Sequence, residues 1–353
     1  MGERQPQPAA SKKQRTIALC GLGLNALIIV GVLFYDSRLK NVEQQAQYVT
    51  RPNYVWLALA CLLGVLLLET VSLCYACAAN GRPVGFWKTL HVAIVGRYYG
   101  ALIPGGFSQP LQIHSLTQEG IPGGIASALI LMRTSWQQGI FFLAGLTAML
   151  WLGGDLFATS KIMFFAAIAA MLLWFFMSAT LLVMAIKSNW LVKLLNGLRR
   201  LLEKLRLARL AQGIERWAEE GIRAFKEGVH EFRSPGLNAV MAASLAGQLI
   251  LTLLIPVCVF LAFGTPGSAT AALIGKAQLV TMVMVVVPLP GAAGGAEGSF
   301  LTLFHDYFAP NILLIAMLFW RLFTYYGYVI IGAGDMLVDV VRRSLAVRKA
   351  RRS

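Results

Sequence analysis

Six ionisable side chains lie inside long apolar segments of the chain, and their types suit the binding of a phosphate group. They are Glu69, Arg97, Arg133, Lys276, Glu297 and Arg321. Charges within membrane segments are costly, and they usually mark a substrate path or a paired partner. Arginine can bind a phosphate through two parallel hydrogen bonds, and a nearby carboxylate can pair with it at rest or with an amine. Structural ion pairs between helices are the alternative for each residue. Arg321, near Tyr325 and Tyr326, also suits an anchor at the membrane interface.

Two motifs rich in glycine and proline interrupt apolar segments close to these charges. The first follows Arg97 and contains Pro104, Gly105, Gly106, Ser108 and Gln109; the second contains Pro290, Gly291, Gly294 and Glu297. Irregular backbone at membrane depth is costly unless protein or a water-filled cavity satisfies its polar groups. The sequence therefore predicts a cavity lined by both motifs. The alternative is that both motifs are tight turns at the membrane surface.

Each motif is also expected to begin a short helix whose N-terminus points into the cavity. Ser108 is the expected N-cap of the first helix, and Glu297 lies in the first turn of the second. Free N–H groups and the positive end of a helix dipole favour an anion such as phosphate. Gln137 and Gln138 extend the polar lining. The expected substrate-binding residues are Arg97, Pro104, Gly105, Gly106, Ser108, Gln109, Arg133, Pro290, Gly291, Gly294, Glu297 and Arg321.

Enzyme signatures are missing from the sequence. It has no H-E-x-x-H zinc motif, no P-loop and no G-x-S-x-G motif. Its four histidines are scattered, and the Cys74–Cys77 pair has no further ligand close in sequence. We therefore expect no catalytic residue, no cofactor and no metal site. If the protein is instead a membrane-embedded enzyme, Glu297 and His114 are the catalytic candidates.

The composition excludes a water-soluble fold. Of 353 residues, 57% are hydrophobic and 13% are charged, whereas about a quarter of the residues in a soluble domain are charged. The net charge of +15 comes from basic residues at both tails and between apolar segments, where the positive-inside rule places them. This distribution favours contacts with anionic lipid headgroups over nucleic acid.

Apolar segments of membrane length predict an all-α polytopic membrane protein. Six full spans are expected at about residues 16–35, 54–79, 123–152, 160–187, 236–264 and 310–335. Two broken segments, at about 86–110 and 269–304, are expected to re-enter on the side they came from, as in an inverted repeat. If both broken segments cross instead, the protein has eight spans.

The expected organisation has five parts. They are a basic cytoplasmic tail at 1–15, a first membrane half at 16–187, a cytoplasmic amphipathic segment at 188–235, a second membrane half at 236–340 and a basic cytoplasmic tail at 341–353. The leucines of 188–235 recur at helical spacing among basic residues, which indicates a helix lying on anionic inner-leaflet lipids. A connector packed on the bundle is the alternative.

The two motifs resemble those of the lysylphosphatidylglycerol synthetase transmembrane-domain family of flippase-like membrane proteins. The first motif reads Gly-Gly-Phe-Ser-Gln-Pro over residues 105–110, and the second reads Pro-Leu-Pro-Gly-Ala-Ala-Gly-Gly-Ala-Glu-Gly over 288–298. Leu289 replaces the usual Thr, and Ser108 stands where Gly is common. The resemblance covers about residues 16–340. It implies a bacterial inner-membrane protein that handles lipid. Longer relatives carry a cytoplasmic synthase domain, whose activity is not expected in a chain ending at Ser353.

Together these features predict a lipid translocase. A phospholipid or lipid-linked headgroup would enter the cavity while its tails stay in the bilayer. The alternatives are a membrane-embedded enzyme acting on a lipid, and a scaffold that recruits a lipid-synthesis enzyme through residues 188–235. Nucleic acid is not an expected partner.

Overall fold

The computed structural model describes residues 49–103, 108–186, 223–232, 234–263, 270–287 and 289–350. Within these ranges the chain forms helices and connecting loops, without a strand, which confirms the all-α prediction. The predicted span at 16–35, the tail at 1–15 and residues 188–222 lie outside the described residues.

Ten of the α-helices in the described residues are labelled here in chain order. They are α1 (Asn53–Ala79), α2 (Phe86–Leu102), α3 (Gln109–Gln118), α4 (Gly123–Thr159), α5 (Lys161–Ile186), α6 (Pro235–Ala262), α7 (Thr270–Val286), α8 (Gly295–Phe304), α9 (Pro310–Arg321) and α10 (Gly327–Ala350). A 3-10 turn (Pro290–Ala292) precedes α8, and a π-helical turn (Leu322–Tyr326) joins α9 to α10. Residues 223–231 are also helical.

Five described stretches are long and apolar enough to cross a membrane. They are Asn53–Ala79, Gly123–Thr159, Lys161–Thr180, Pro235–Ala262 and Ile312–Asp339. These correspond to the five predicted spans that fall within the described residues, so a polytopic membrane protein is confirmed. Helix α4 is longer than the predicted span at 123–152, since it has 37 residues and ends at Thr159. Helix α10 continues beyond the apolar stretch, through residues 341–350.

Helices α1 and α6 pack along each other through their small residues. A side chain at Gly64 of α1 would approach Leu251 of α6 to 2.8 Å, and one at Gly247 of α6 would approach Leu68 of α1 to 2.8 Å. Each glycine thus receives a leucine of the other helix. Small residues permit this close approach, which is how membrane helices gain packing energy without a hydrophobic driving force.

The two broken segments form packed helix pairs. Helix α2 packs against α3, and α7 packs against α8. Ile103 leaves the helical conformation (φ −85°, ψ 128°), as expected of a residue that precedes a proline. The second break contains three residues with positive φ, which are Gly291 (59°), Ala292 (53°) and Gly294 (80°). The order of span, broken pair and span therefore occurs twice, as α1–α4 and as α6–α10.

Candidate functional site

A cavity of about 520 Å³ lies inside the bundle, between the two broken segments. Its volume falls within the usual range for small-molecule sites, about 300–1,000 Å³. The polar side chains in its lining are Glu69, Arg97, Ser108, Gln109, Gln112, Arg133, Thr134, Gln137, Gln138, Thr281, Arg321, Thr324, Tyr325 and Tyr328. Phe141, Leu173, Trp174 and Met177 form part of the apolar remainder. A lining that combines charged and apolar side chains suits an amphiphile better than a free polar solute.

Glu69 of α1 lies at the centre of this lining with 2% of its surface exposed. Arg97 Nε donates to its Oε2 at 2.6 Å, and Arg133 Nη2 lies 3.0 Å from its Oε1. Gln112 Nε2 donates to the same Oε1 at 3.2 Å. One buried carboxylate therefore holds two guanidinium groups, because a charge in low dielectric requires close partners of opposite sign.

Gly96 makes room for this arrangement. A side chain at Gly96 would collide with the amide of Gln112, which is the group that donates to Glu69. The absence of a Cβ on α2 thus allows α3 to bring its glutamine against the carboxylate. A glycine in a helix interior costs about 0.5–1 kcal/mol relative to alanine, and here it permits the polar contact between α3 and Glu69 of α1.

Gln248 of α6 connects the second half of the chain to the same cluster. Its Oε1 accepts from Arg97 Nη2 at 2.7 Å and from Arg133 Nη2 at 3.3 Å. The side chain is 4% exposed. An amide oxygen that accepts from two guanidinium groups fixes their orientation without neutralising their charge.

Arg321 lies at the second break and makes a separate set of contacts. Its Nε lies 2.8 Å from Glu297 Oε1, and its Nη1 donates to the carbonyl of Gly291 at 2.9 Å. The guanidinium also stacks 4.7 Å from the ring centre of Tyr325. Arg321 therefore contacts three elements, which are the 3-10 turn at Gly291, helix α8 at Glu297 and the π-helical turn at Tyr325.

Glu297 occupies the N-terminus of α8. Its Oε2 accepts the N–H of Gly294 at 2.7 Å, and a carboxylate in the first turn is stabilised by the helix dipole. We expected the N–H groups of this helix to be available to an anion. The structure shows that a carboxylate of the protein already binds the Gly294 N–H. Ser108 does precede α3, yet its hydroxyl makes no capping hydrogen bond.

Three buried polar atoms of lining residues lack a hydrogen-bond partner among the described residues. They are the donors Arg133 Nε and Arg321 Nε and the acceptor Gln138 Oε1. Of these, Arg321 Nε still has an ion-pair partner, because it lies 2.8 Å from Glu297 Oε1. Leaving such a group unsatisfied costs about 1–3 kcal/mol, and more for a charged group. The other two atoms therefore point to a partner that is not part of the described protein, such as a ligand or water.

The structure places the predicted site residues in three groups. Arg97, Ser108, Gln109, Arg133, Gly291 and Arg321 line the cavity. Pro290, in the 3-10 turn, and Gly294 and Glu297, at the start of α8, are not among the lining residues. Pro104, Gly105 and Gly106 lie outside the described residues.

Sequence reasoning passed over three residues of the cluster. Glu69 was flagged as an intramembrane charge without being assigned to the site, and Gln112 was not assigned either. Gln248 was not singled out, although a glutamine in a 28-residue apolar helix is a detectable signal. Lys276 was flagged, but it lies outside the lining and stacks over Tyr307 at 4.6 Å.

No group of three or more His, Cys, Asp and Glu side chains is placed to hold a metal ion within the part of the chain that the structure describes. The charged residues around the cavity instead form ion pairs between arginines and carboxylates.

Membrane-length helices around a buried, charged cavity define a multi-pass membrane protein with an internal polar site. Residues 19–332 match the family described as "Lysylphosphatidylglycerol synthase TM region", and the chain belongs to this family. Membership fits a membrane protein of lipid metabolism or transport.

A UPF0104 membrane protein of Archaeoglobus fulgidus is 25% identical over 331 residues, which are 90% of this chain and 97% of that protein. No solved structure matches the chain significantly. The family resemblance inferred from the two motifs is thus confirmed over nearly the whole chain.

Proposed function

We propose that the protein translocates a phospholipid or lipid-linked headgroup through this cavity while the acyl tails remain in the bilayer. The observation that carries the proposal is the buried contact of Glu69 with two arginines inside a cavity that also has apolar walls. Such a site offers a phosphate a charged partner at a depth where water cannot solvate it.

The mechanism follows from the exchange of one anion for another. In the empty site, carboxylates hold the guanidinium groups of Arg97, Arg133 and Arg321. An entering phosphate takes over part of these contacts in bidentate form. No arginine is left unpaired at any stage, so the headgroup avoids the full cost of a bare charge in the membrane.

The helix lengths support re-entrant segments in this proposal. Helices α3 and α8 have 10 residues each, which corresponds to about 15 Å. The hydrocarbon core is about 30 Å thick. Two broken segments that each return to their own side, in opposite halves, form an inverted repeat with the cavity between them.

The orientation and partners are part of the same proposal. The distribution of basic residues favours a bacterial inner-membrane protein whose two termini and residues 188–235 lie on the cytoplasmic side. In this proposal the basic residues of 188–235 contact anionic lipids and the segment recruits a lipid-synthesis enzyme. Phe225 and Phe232, in the described part of the segment, are buried against the bundle. The protein itself performs no covalent chemistry, and movement is downhill, ion-coupled or driven by a partner.

The test is a translocation assay in liposomes. Purified protein is reconstituted with a panel of fluorescent lipids, and an impermeant quencher reports the label that reaches the outer leaflet. We expect a loss of protected signal beyond that of empty liposomes, and its reduction in Arg97→Ala and Glu297→Gln proteins.

Lys276→Gln is the matched control for this assay, since Lys276 stacks over Tyr307 outside the cavity lining and, unlike Glu297, does not pair with a lining arginine. It should leave the rate near that of the unmodified protein. Unchanged lipid movement in folded Arg97→Ala and Glu297→Gln proteins would overturn the proposal.

A further inference from the structure

The interface between α2 and α10 holds a second group of ionisable side chains, outside the cavity lining. His91 Nδ1 of α2 lies 2.5 Å from Asp335 Oδ2 of α10, and the two side chains are 25% and 22% exposed. Neither residue lines the cavity. Asp335 belongs to the membrane-length stretch Ile312–Asp339, where an ionised carboxylate without a partner is costly. An imidazole of the first half of the chain is therefore the direct partner of an intramembrane carboxylate of the second half.

The same two helix faces lead from this contact to the cavity. His91 and Tyr98 are seven residues apart, which places them on one face of α2. Asp335, Gly332 and Tyr328 follow helical spacing on α10 in the opposite direction. A side chain at Gly332 would collide with Tyr98, so the helices approach closely there, and Tyr328 lines the cavity. The interface thus runs from the His91–Asp335 contact to the cavity.

Tyr328 connects this interface to the charged cluster. The guanidinium of Arg97 lies 5.5 Å from the centre of the Tyr328 ring, and Arg97 Nε donates to Glu69 Oε2 at 2.6 Å. Separation of α10 from α2 would therefore withdraw the ring that packs on an arginine of the site, and it would open the cavity along the interface.

Other ionisable groups occur on the elements packed against this end of α2. They are Cys74, Tyr75 and Cys77 of α1, Arg82 of the following loop, Lys88 of α2 itself, His114 of α3, Glu119 directly after α3, and Asp339, Arg342 and Arg343 of α10. Glu119 is already paired with Lys88, whereas Asp335 contacts His91 directly. The charge of the imidazole thus decides whether the contact between α2 and α10 is an ion pair.

Protonation of His91 changes the strength of this contact. Histidine gains or loses its proton between about pH 5 and 8. A protonated imidazole compensates the charge of Asp335, whereas a neutral one still donates a hydrogen bond but leaves the carboxylate uncompensated. Because such a charge is costly at membrane depth, loss of the proton favours exposure of Asp335 to water and separation of the two helices.

We propose that the His91–Asp335 contact is a pH-sensitive gate on the cytoplasmic side of the cavity. A protonated His91 joins α2 to α10 and closes the cavity on that side, and a neutral His91 releases α10 and opens it. The proposal rests on the proposed function, because it assigns a regulation to the movement of lipid through the same cavity.

Lipid movement at different pH tests the gate. The purified full chain is reconstituted into liposomes with the same pH on both sides, and the probes are fluorescent phosphatidylcholine and phosphatidylglycerol. The assay covers the range from about pH 5 to 8, in which histidine changes its charge. We expect the rate to rise with pH, by up to about tenfold per unit at the acidic end, because the neutral fraction of a histidine rises by that factor.

Substitutions at His91 should fix the gate in opposite states. His91→Gln cannot become positive, so lipid movement should be fast at every pH tested. His91→Lys stays positive over the whole range, so movement should be slow at every pH tested.

His305→Gln is the matched control for these variants. His305 Nε2 also lies close to an aspartate, 2.9 Å from Asp306 Oδ1, but both side chains are more than half exposed. Neither residue belongs to α2 or α10. The variant should therefore keep the pH response of the unmodified protein.

Hydrogen–deuterium exchange reports on the interface itself, without requiring transport. Peptides that cover α2 and residues 327–339 of α10 are compared in detergent at both ends of the same pH range, after correction for the intrinsic exchange rate. We expect slower exchange at the acidic end in the unmodified protein and in His305→Gln. This difference should be lost in His91→Gln and in His91→Lys.

The two measurements separate the gate from translocation. Exchange that depends on pH through His91, without movement of either lipid, would leave the gate standing and refute translocation of these probes. Lipid movement with no pH response in rate or in exchange would overturn the gate and leave translocation standing. An equal pH response in His91→Gln and in the unmodified protein would also overturn the gate.

Discussion

The side chains of Arg97 and Gln248 meet at 2.7 Å, although 151 residues separate them in the chain. Arg97 belongs to the first broken segment, and Gln248 belongs to the span that precedes the second. Because the same amide oxygen also accepts from Arg133, one side chain of the second half orients both arginines of the first. A headgroup that moves either guanidinium therefore acts on a contact between the two halves.

Removing this acceptor should destabilise the protein. Gln248→Leu removes the amide oxygen that accepts from both Arg97 and Arg133. Hydrogen bonds to charged groups contribute about 1.5–3 kcal/mol. We expect a clear fall in the Tm measured in detergent. Gln278→Leu is the matched control, because that buried amide has an unpartnered Oε1 and donates to Phe141 at the longer distance of 3.4 Å. Similar losses in both proteins would contradict the role assigned to Gln248.

The Glu69 carboxylate should contribute more to stability than a surface carboxylate. Glu69→Gln leaves two buried arginines uncompensated, and breaking a buried pair costs about 3–5 kcal/mol. The Lys88–Glu119 pair, whose lysine is 63% exposed, provides the comparison, since surface pairs contribute about 0–1 kcal/mol. Chemical unfolding of the Glu69→Gln and Glu119→Gln proteins measures the difference. Equal stability would show that Glu69 is not a central partner of the arginines.

A methyl group at Gly96 should disturb the site by displacing the Gln112 side chain. In Gly96→Ala the new Cβ displaces the Gln112 amide, so Glu69 loses one donor at a cost of about 1–3 kcal/mol. Lipid binding should weaken together with stability. Gly100→Ala, one turn further along α2, meets Ser108 Oγ at an ordinary 3.5 Å and should be tolerated. The test measures Tm and lipid affinity for both proteins. Equal values for Gly96→Ala and Gly100→Ala would contradict the steric argument.

Two glycines of the second break should respond differently to alanine. Both have positive φ, 59° at Gly291 and 80° at Gly294, and this conformation costs an L-residue about 1–2 kcal/mol. At Gly291 the new Cβ would also collide with the Tyr325 ring, whereas nothing lies within 4 Å of a Cβ at Gly294. We therefore expect Gly291→Ala to lose more stability and to impair lipid movement, because Tyr325 packs on Arg321. A larger effect at Gly294 would contradict this order.

The Arg321–Glu297 pair should show measurable coupling. A double-mutant cycle with Arg321→Ala and Glu297→Ala should give about 0.5–3 kcal/mol, the range for residues in direct contact. Arg321 is 3% exposed and Glu297 29%, so water screens the pair incompletely. The same cycle on Lys88 and Glu119 should give at most about 1 kcal/mol. Coupling no greater than in that surface pair would show that Arg321 is held by its other contacts.

The sequence by itself determined where the membrane helices lie and where two of the apolar segments are interrupted. Apolar runs of membrane length specify helices whatever they pack against, because unpaired backbone groups are not tolerated in lipid. Proline and glycine end a helix through local geometry, so the interruptions near Ile103 and Gly291 were predictable. The motifs at these breaks also carried the family resemblance.

Tertiary structure alone decided which charges meet. The sequence showed that Arg97, Arg133 and Arg321 lie in apolar segments, yet it did not show that the first two share Glu69 while the third takes Glu297. It marked Gln248 only as a polar residue in an apolar helix, and did not show that Gln248 joins the cluster or that Glu297 already binds the Gly294 N–H. Helix formation is a local property of composition, whereas ion pairing across the bundle depends on the rotation and register of packed helices. A side chain's partner is therefore known only once those helices have been placed.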